Sequence, residues 1–102
     1  MMKIITTTSG KQFPIESLSC RETEASDLAI VEIQKETNPV QVSVRMRRHM
    51  LRVCVQGIRN GGQAEIDEET LIDQVTDHEL VALYRQVLGY TGVTPGEAKA
   101  TE

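Results

Sequence analysis

The chain has 102 residues, 39% of them hydrophobic and only 3% aromatic, with no tryptophan. This bounds it to one domain with a modest, aliphatic core, and no stretch approaches the ~20 apolar residues of a membrane span. The net charge of −4 is unevenly laid out: residues 1–60 carry nine Lys/Arg and six Asp/Glu, residues 61–102 two and nine, so a basic half and an acidic half can attract each other within or between molecules.

Residues 2–8 are β-prone, with Ile4, Ile5 and three threonines, and Ser9-Gly10-Lys11 signals a turn. Residues 12–20 alternate through Phe13, Ile15, Leu18 and Cys20, which predicts a hairpin. Pro14 cannot donate to a ladder, so the second strand is an edge or begins late. Residues 21–26 are polar and read as a loop. Residues 27–35, with Leu28, Ile30 and Ile33 flanking Ala29 and Val31, read as a third strand.

Asn38-Pro39 fits a helix N-cap and first position. It equally fits a turn into a strand, because Val40, Val42, Val44 and Met46 alternate with polar residues. From Met46 the period changes, and Met46, Met50, Leu51, Cys54, Val55 and Ile58 share a helical face. The prediction is an extended start over 40–44 and a helix over 45–58. A helix running from Pro39 is the alternative. Asn60-Gly61-Gly62 then breaks the chain before the acidic half.

Residues 66–92 read most clearly. Asp67 is an N-cap, with Glu68 and Glu69 complementing the helix dipole and Ile66 placed to staple onto Leu71. Thr76 and Glu79 form a capping box with Val75 and Leu80 as its staple. Leu80, Leu83, Tyr84, Val87 and Leu88 make one apolar stripe, and Gly89 or Gly92 closes the helix. Both helices are too short to stand alone in water and need the rest of the chain.

No constellation points to catalysis. His78 lies inside the capping box, on the surface, and His49 lies among arginines, where like charge lowers its pKa. Cys20 and Cys54 make no C-x-x-C pair, and no His/Cys spacing fits a zinc site. Asn60-Gly61-Gly62 lacks the Lys-Ser/Thr of a phosphate loop. The reading is a non-enzyme without cofactor or metal. No signal-peptide pattern opens the chain, so reduced cysteines, one of them in the core, and a cytoplasmic location are expected.

Arg45, Arg47, Arg48 and Arg52 are four arginines in eight residues, a pattern able to contact phosphates. Aromatic interleaving is missing, and the helix after Thr76 begins Asp77-His78-Glu79, carboxylates that phosphate would repel. Pairing of these arginines with the acidic region 65–79 is favoured over nucleic acid. Met46 and Met50 offer an adaptable apolar surface. The candidate protein-binding set is Arg45, Met46, Arg47, Arg48, Met50, Arg52 and Tyr84, with Leu83 and Val87 nearby. A small nucleic-acid-binding or regulatory protein using segment 45–52 is the alternative.

From Val44 onward the chain resembles the tail assembly chaperones of long-tailed phages and prophages. The resemblance lies in the helix ending Met50-Leu51-Arg52-Val53-Cys54-Val55, the Asn60-Gly61-Gly62 turn and the acidic helix start Ile66-Asp67-Glu68-Glu69-Thr70-Leu71. The capped Thr76-to-Leu88 helix and the Tyr90-Thr91-Gly92-Val93 element complete it. The resemblance implies a non-enzymatic factor in the host cytoplasm that binds tape-measure and tail-tube proteins before tube polymerisation and tends to self-associate. The predicted architecture is α+β: an N-terminal antiparallel hairpin or small sheet, then about three helices. One domain spans 1–92, β-rich over 1–37 and mainly helical over 39–92, and 93–102 form a flexible tail.

Overall fold

The computed structural model describes residues 2–89, in the order β1 (Lys3–Thr6), β2 (Gln12–Ile15), α1 (Cys20–Gln34), α2 (Pro39–Asn60), α3 (Glu68–Ile72) and α4 (Asp77–Val87). The fold is α+β, with a two-stranded antiparallel hairpin ahead of four helices. Helix α2 is the hub: α1, α3, α4 and β2 all pack on it. Its Leu51, Cys54, Val55 and Ile58 join Phe13 and Ile15 of β2, Leu71 of α3, and Leu80, Leu83 and Val87 of α4 in one aliphatic core. No helix among the described residues is long and apolar enough to cross a membrane. The tail 93–102 lies outside the described residues.

The segment read as a loop and a third strand, residues 21–35, is instead most of α1. Its start is set by Ser19, whose hydroxyl accepts from the Glu22 N–H while Glu22 accepts from the Ser19 N–H, a full capping box. The β-branched Ile30, Val31 and Ile33 favour a strand locally. Burial of Ser26 and Ile33 on α2, seven positions and two helical turns apart, outweighs that preference. The β-rich part of the chain therefore ends at Ile15, the sheet has two strands, and Cys20 opens a helix rather than closing a strand.

The extended start over 40–44 is likewise overturned. Helix α2 runs unbroken from Pro39, the alternative for this segment. Asn38 Oδ1 accepts from the N–H groups of Val40 and Gln41 at 2.9 and 3.2 Å, and Pro39 at the first position has no N–H to satisfy. Cap and proline together decide against the period-two alternation. The Asp67 cap and the Thr76/Glu79 capping box form as read, and Gly89, at φ +83°, follows α4. Gly92 lies outside the described residues.

Two glycines on and beside α2 let the layers meet. A Cβ on Gly57 would stand 2.6 and 2.7 Å from the Val87 methyls, and one on Gly61 would stand 2.6 Å from the Pro14 carbonyl carbon. Between them, the Glu16 N–H donates to the Gly57 carbonyl at 3.0 Å, tying the end of the hairpin directly to the helix.

At the other end of the hairpin, Glu79 does the equivalent work. Its Oε1 accepts from the Thr76 N–H within the capping box. Its Oε2 accepts from the Ser9 N–H, the Ser9 hydroxyl and the Thr8 hydroxyl at 2.9, 2.8 and 3.0 Å. The Thr76 N–H, then the Ser9 hydroxyl and N–H, and last the Thr8 hydroxyl hold this carboxyl far below the ordinary glutamate value, against the cost of burial. Lys11 Nζ adds a bond to the Gln74 carbonyl at 2.8 Å.

Gly57→Ala should cost ~2 kcal/mol in urea unfolding through overpacking. Combining it with Val87→Ala should cost less than the sum of the two single changes, because the clashing methyls are gone. Gly61→Ala, which meets backbone, should find no such relief. Because the folded-state pKa of Glu79 is depressed, its stabilisation is complete above the ordinary value of 4.5 and is lost as pH falls through and below it. Glu79→Gln should therefore lower the urea midpoint at neutral pH and flatten the acid limb of a midpoint-against-pH curve. A shallower limb should remain from Glu22 and Asp67, whose pKa values are also depressed.

Candidate protein-binding groove

The first two turns of α2 reach past the N-terminal end of α4 and leave a groove. Its floor is Val42, Met46 and Met50, at i, i+4 and i+8 of α2, with Ser43 beside them. Its far wall is Val81 of α4, and Arg47 and Asp77 stand at the rim. The groove holds about 360 Å³. Val40 and Val44, on the same overhanging turns, are 68% and 43% exposed, but each stands two positions from Val42 or Met46 and so faces away from the groove floor.

The arginines of segment 45–52 are engaged inside the molecule. Arg47 holds Asp77 with two bonds, Nε to Oδ1 at 2.9 Å and a terminal nitrogen to Oδ2 at 3.2 Å. Arg48 meets Glu69 at 2.7 Å, Arg52 meets Glu68 at 3.3 Å and Arg45 meets Glu36 at 3.4 Å. Three of these pairs join α2 to carboxylates in the first turns of α3 and α4, where the helix dipoles already favour negative charge. Being largely exposed, each contributes at most ~1 kcal/mol, and their effect is to fix orientation more than to stabilise.

Of the residues singled out from the sequence, the structure brings Met46, Arg47 and Met50 together in the groove. Arg45, Arg48 and Arg52 point to other neighbours. Tyr84 lies outside the groove, edge-on to His49 with ring centroids 5.9 Å apart. Leu83 and Val87 are core. Sequence reasoning misses Val42, Val81 and Asp77. The i, i+4, i+8 run of Val42, Met46 and Met50 is visible in the sequence, but the supposed strand-to-helix change divides it.

His49 is buried. Its Nε2 lies 3.2 Å from the Ser26 hydroxyl of α1 and 3.5 Å from the Tyr84 hydroxyl of α4, so one imidazole joins three helices. Burial, then the charge of Arg52, pushes its pKa below the ordinary value of 6.5, with Asp27 opposing. Beside it Glu22, Ala25, Ser26 and Ala29 of α1, with Leu18 before the helix, face Arg52, Val53 and Gln56 of α2 across a recess of about 210 Å³. His78 is exposed on α4. Cys54 is in the core, where burial raises its thiol pKa, and Cys20 is exposed. Among the described residues no three His, Cys, Asp or Glu side chains converge to hold a metal ion.

The chain matches no protein-family model, no curated protein and no solved structure.

A buried, neutral His49 makes stability fall as pH drops below 6.5, because the unfolded chain takes up a proton that the folded chain resists. Urea midpoints measured from about pH 7.5 to about 5.5 should decline in the wild type. In His49→Gln the decline over that window should be smaller.

Proposed function

We propose that this protein is a non-enzymatic assembly chaperone, acting as a phage or prophage tail assembly chaperone that holds an amphipathic helical segment of a tape-measure or tail-tube protein. The observation that carries the reading is the groove of Val42, Met46, Met50 and Val81, aliphatic surface with no covering element among the described residues. A floor built from residues four apart on one helix accepts the apolar stripe of another helix lying along it. Methionines adapt to stripes of differing shape, as a factor that meets several segments in turn requires. The Arg47–Asp77 pair at the rim offers one donor and one acceptor to orient the incoming chain. The resemblance of the chain from Val44 onward to tail assembly chaperones supplies the partner class.

The ion pairs weigh against the alternative, nucleic-acid binding through segment 45–52. Each arginine there would have to give up a carboxylate before meeting a phosphate.

Co-expression with a phage tape-measure protein should give a soluble complex that co-purifies. Met46→Asp sets a carboxylate in the groove and should weaken the complex at least ~10-fold, with an unchanged circular dichroism spectrum. Arg48→Ala, away from the groove, should leave the complex intact. Failure of the wild type to co-purify, together with a mobility shift on duplex DNA, would overturn the reading.

A further inference from the structure

We infer that the free edge of β1 is a self-association site, where a second copy of this chain pairs its own β1 antiparallel to form a four-stranded sheet across a two-fold axis. This surface is separate from the α2–α4 groove and does not depend on the chaperone reading.

The hairpin register decides which backbone groups are available. Lys3 pairs with Ile15, Ile4 with Pro14, Ile5 with Phe13 and Thr6 with Gln12. In an antiparallel ladder, residues that exchange hydrogen bonds alternate with residues whose N–H and C=O point away from the partner strand. Pro14 has no N–H, so Ile4 and Pro14 form a non-bonded pair. The bond from the Thr7 N–H to the Lys11 carbonyl at 2.8 Å fixes the same phase. Ile4 and Thr6 therefore turn their N–H and C=O groups outward from the hairpin.

The two edges are treated differently. On the β2 side, the outward N–H of Glu16 is taken by the Gly57 carbonyl, Pro14 offers none, and Gly61 lies against the Pro14 and Ile15 backbone. On the β1 side, no hydrogen bond among the described residues meets the outward groups of Ile4 and Thr6. The side chains there are apolar as well: Ile4 is 53% and Met2 52% exposed, on the face of the hairpin opposite Ile5 and the core. A free edge of β-prone residues is a template for another strand.

A second copy fits this edge in register and charge. With Ile4 opposite Ile4 on the two-fold axis, Met2 falls opposite Thr6 and Lys3 opposite Ile5. The exposed isoleucines cover each other, and the lysines never face one another across the strands. Outward groups oppose outward groups, so the ladder closes with bonds in both directions.

Sedimentation equilibrium on the full chain should give a mass rising with concentration to twice that of the chain. Ile4→Lys, which opposes two like charges, should weaken the dimer at least tenfold with an unchanged circular dichroism spectrum. Ile4→Pro removes an outward N–H and the covering isoleucine without taking a bond from the hairpin, and should do the same. In a Cys20→Ser background, Ile4→Cys should form a disulfide-linked dimer on mild oxidation, since opposed bonded pairs lie ~5.5 Å apart at Cα, within disulfide reach. Thr6→Cys, facing Met2, should not. A wild type that stays monomeric at every concentration overturns the proposal, as does a dimer indifferent to Ile4→Lys. A monomer whose β1 edge binds only an extended segment of another protein also overturns it. None of these variants touches the groove, so partner capture by Met46 and Met50 is read separately.

Discussion

The fold depends on the absence of a side chain at Gly57. There α2 meets Val87 of α4 at a separation that no Cβ would allow, and the same residue's carbonyl receives the Glu16 N–H at the end of the hairpin. One bare turn of helix thus serves two neighbouring elements. A glycine inside a helix costs ~1 kcal/mol in propensity. That cost is offset by the burial of Val87, Leu83 and Ile58 that the close approach permits. With an aliphatic core and almost no aromatic residues, the chain has few large side chains to bridge gaps between layers, so the layers themselves must come close.

Two buried polar side chains give this aliphatic core its specificity. Glu79 binds the hairpin turn to the start of α4, and His49 binds α1 and α4 across α2. Hydrophobic burial is tolerant of small rotations and shifts, whereas a buried carboxylate accepting four hydrogen bonds is not. The hairpin has only two strands, a size that is marginal alone. It is held at one end by Glu79 and at the other by Gly57, which leaves its β1 edge open to solvent without loosening its register.

The caps are the most legible part of the sequence, because they are local chemistry. Thr76/Glu79 and Asp67 can be read from four residues each, and the core stripe of α4 from its 3.6-residue period. Helix α1 is not legible in the same way, although Ser19 and Glu22 form the same S/T-x-x-E box as Thr76 and Glu79. The difference lies in the residues beyond each box. After Thr76 the apolar residues fall on one face, but in α1 Leu28 and Val31 sit opposite Ile33 and stay exposed, so no helical stripe appears. The start of α2 is hidden by the alternation of Val40, Val42 and Val44, which the Asn38 cap and Pro39 outweigh. Taking those residues as strand also conceals the groove. The arginine cluster is legible as a charge partner of the acidic half. That Arg47, Arg48 and Arg52 meet the first-turn carboxylates of α3 and α4 while Arg45 turns to Glu36 emerges only from the tertiary arrangement.

The groove arises from a mismatch in helix length. Helix α2 has 22 residues and α4 has 11, or roughly 33 Å against roughly 16 Å at 1.5 Å per residue. The close crossing at Gly57 sets the end of α4 against the last turns of α2, so the shortfall must appear at the beginning. There α2 keeps α1 as a neighbour but outruns α4, and Met46 and Val42 pass beyond the element that would cover their counterparts further along. Were these positions polar, the overhang would be an ordinary solvated helix end. They are instead continuous in character with the core, and the Arg47–Asp77 pair closes the point where cover stops. An apolar face kept on a helix that has run past its own packing partner is consistent with a partner helix supplied by another molecule.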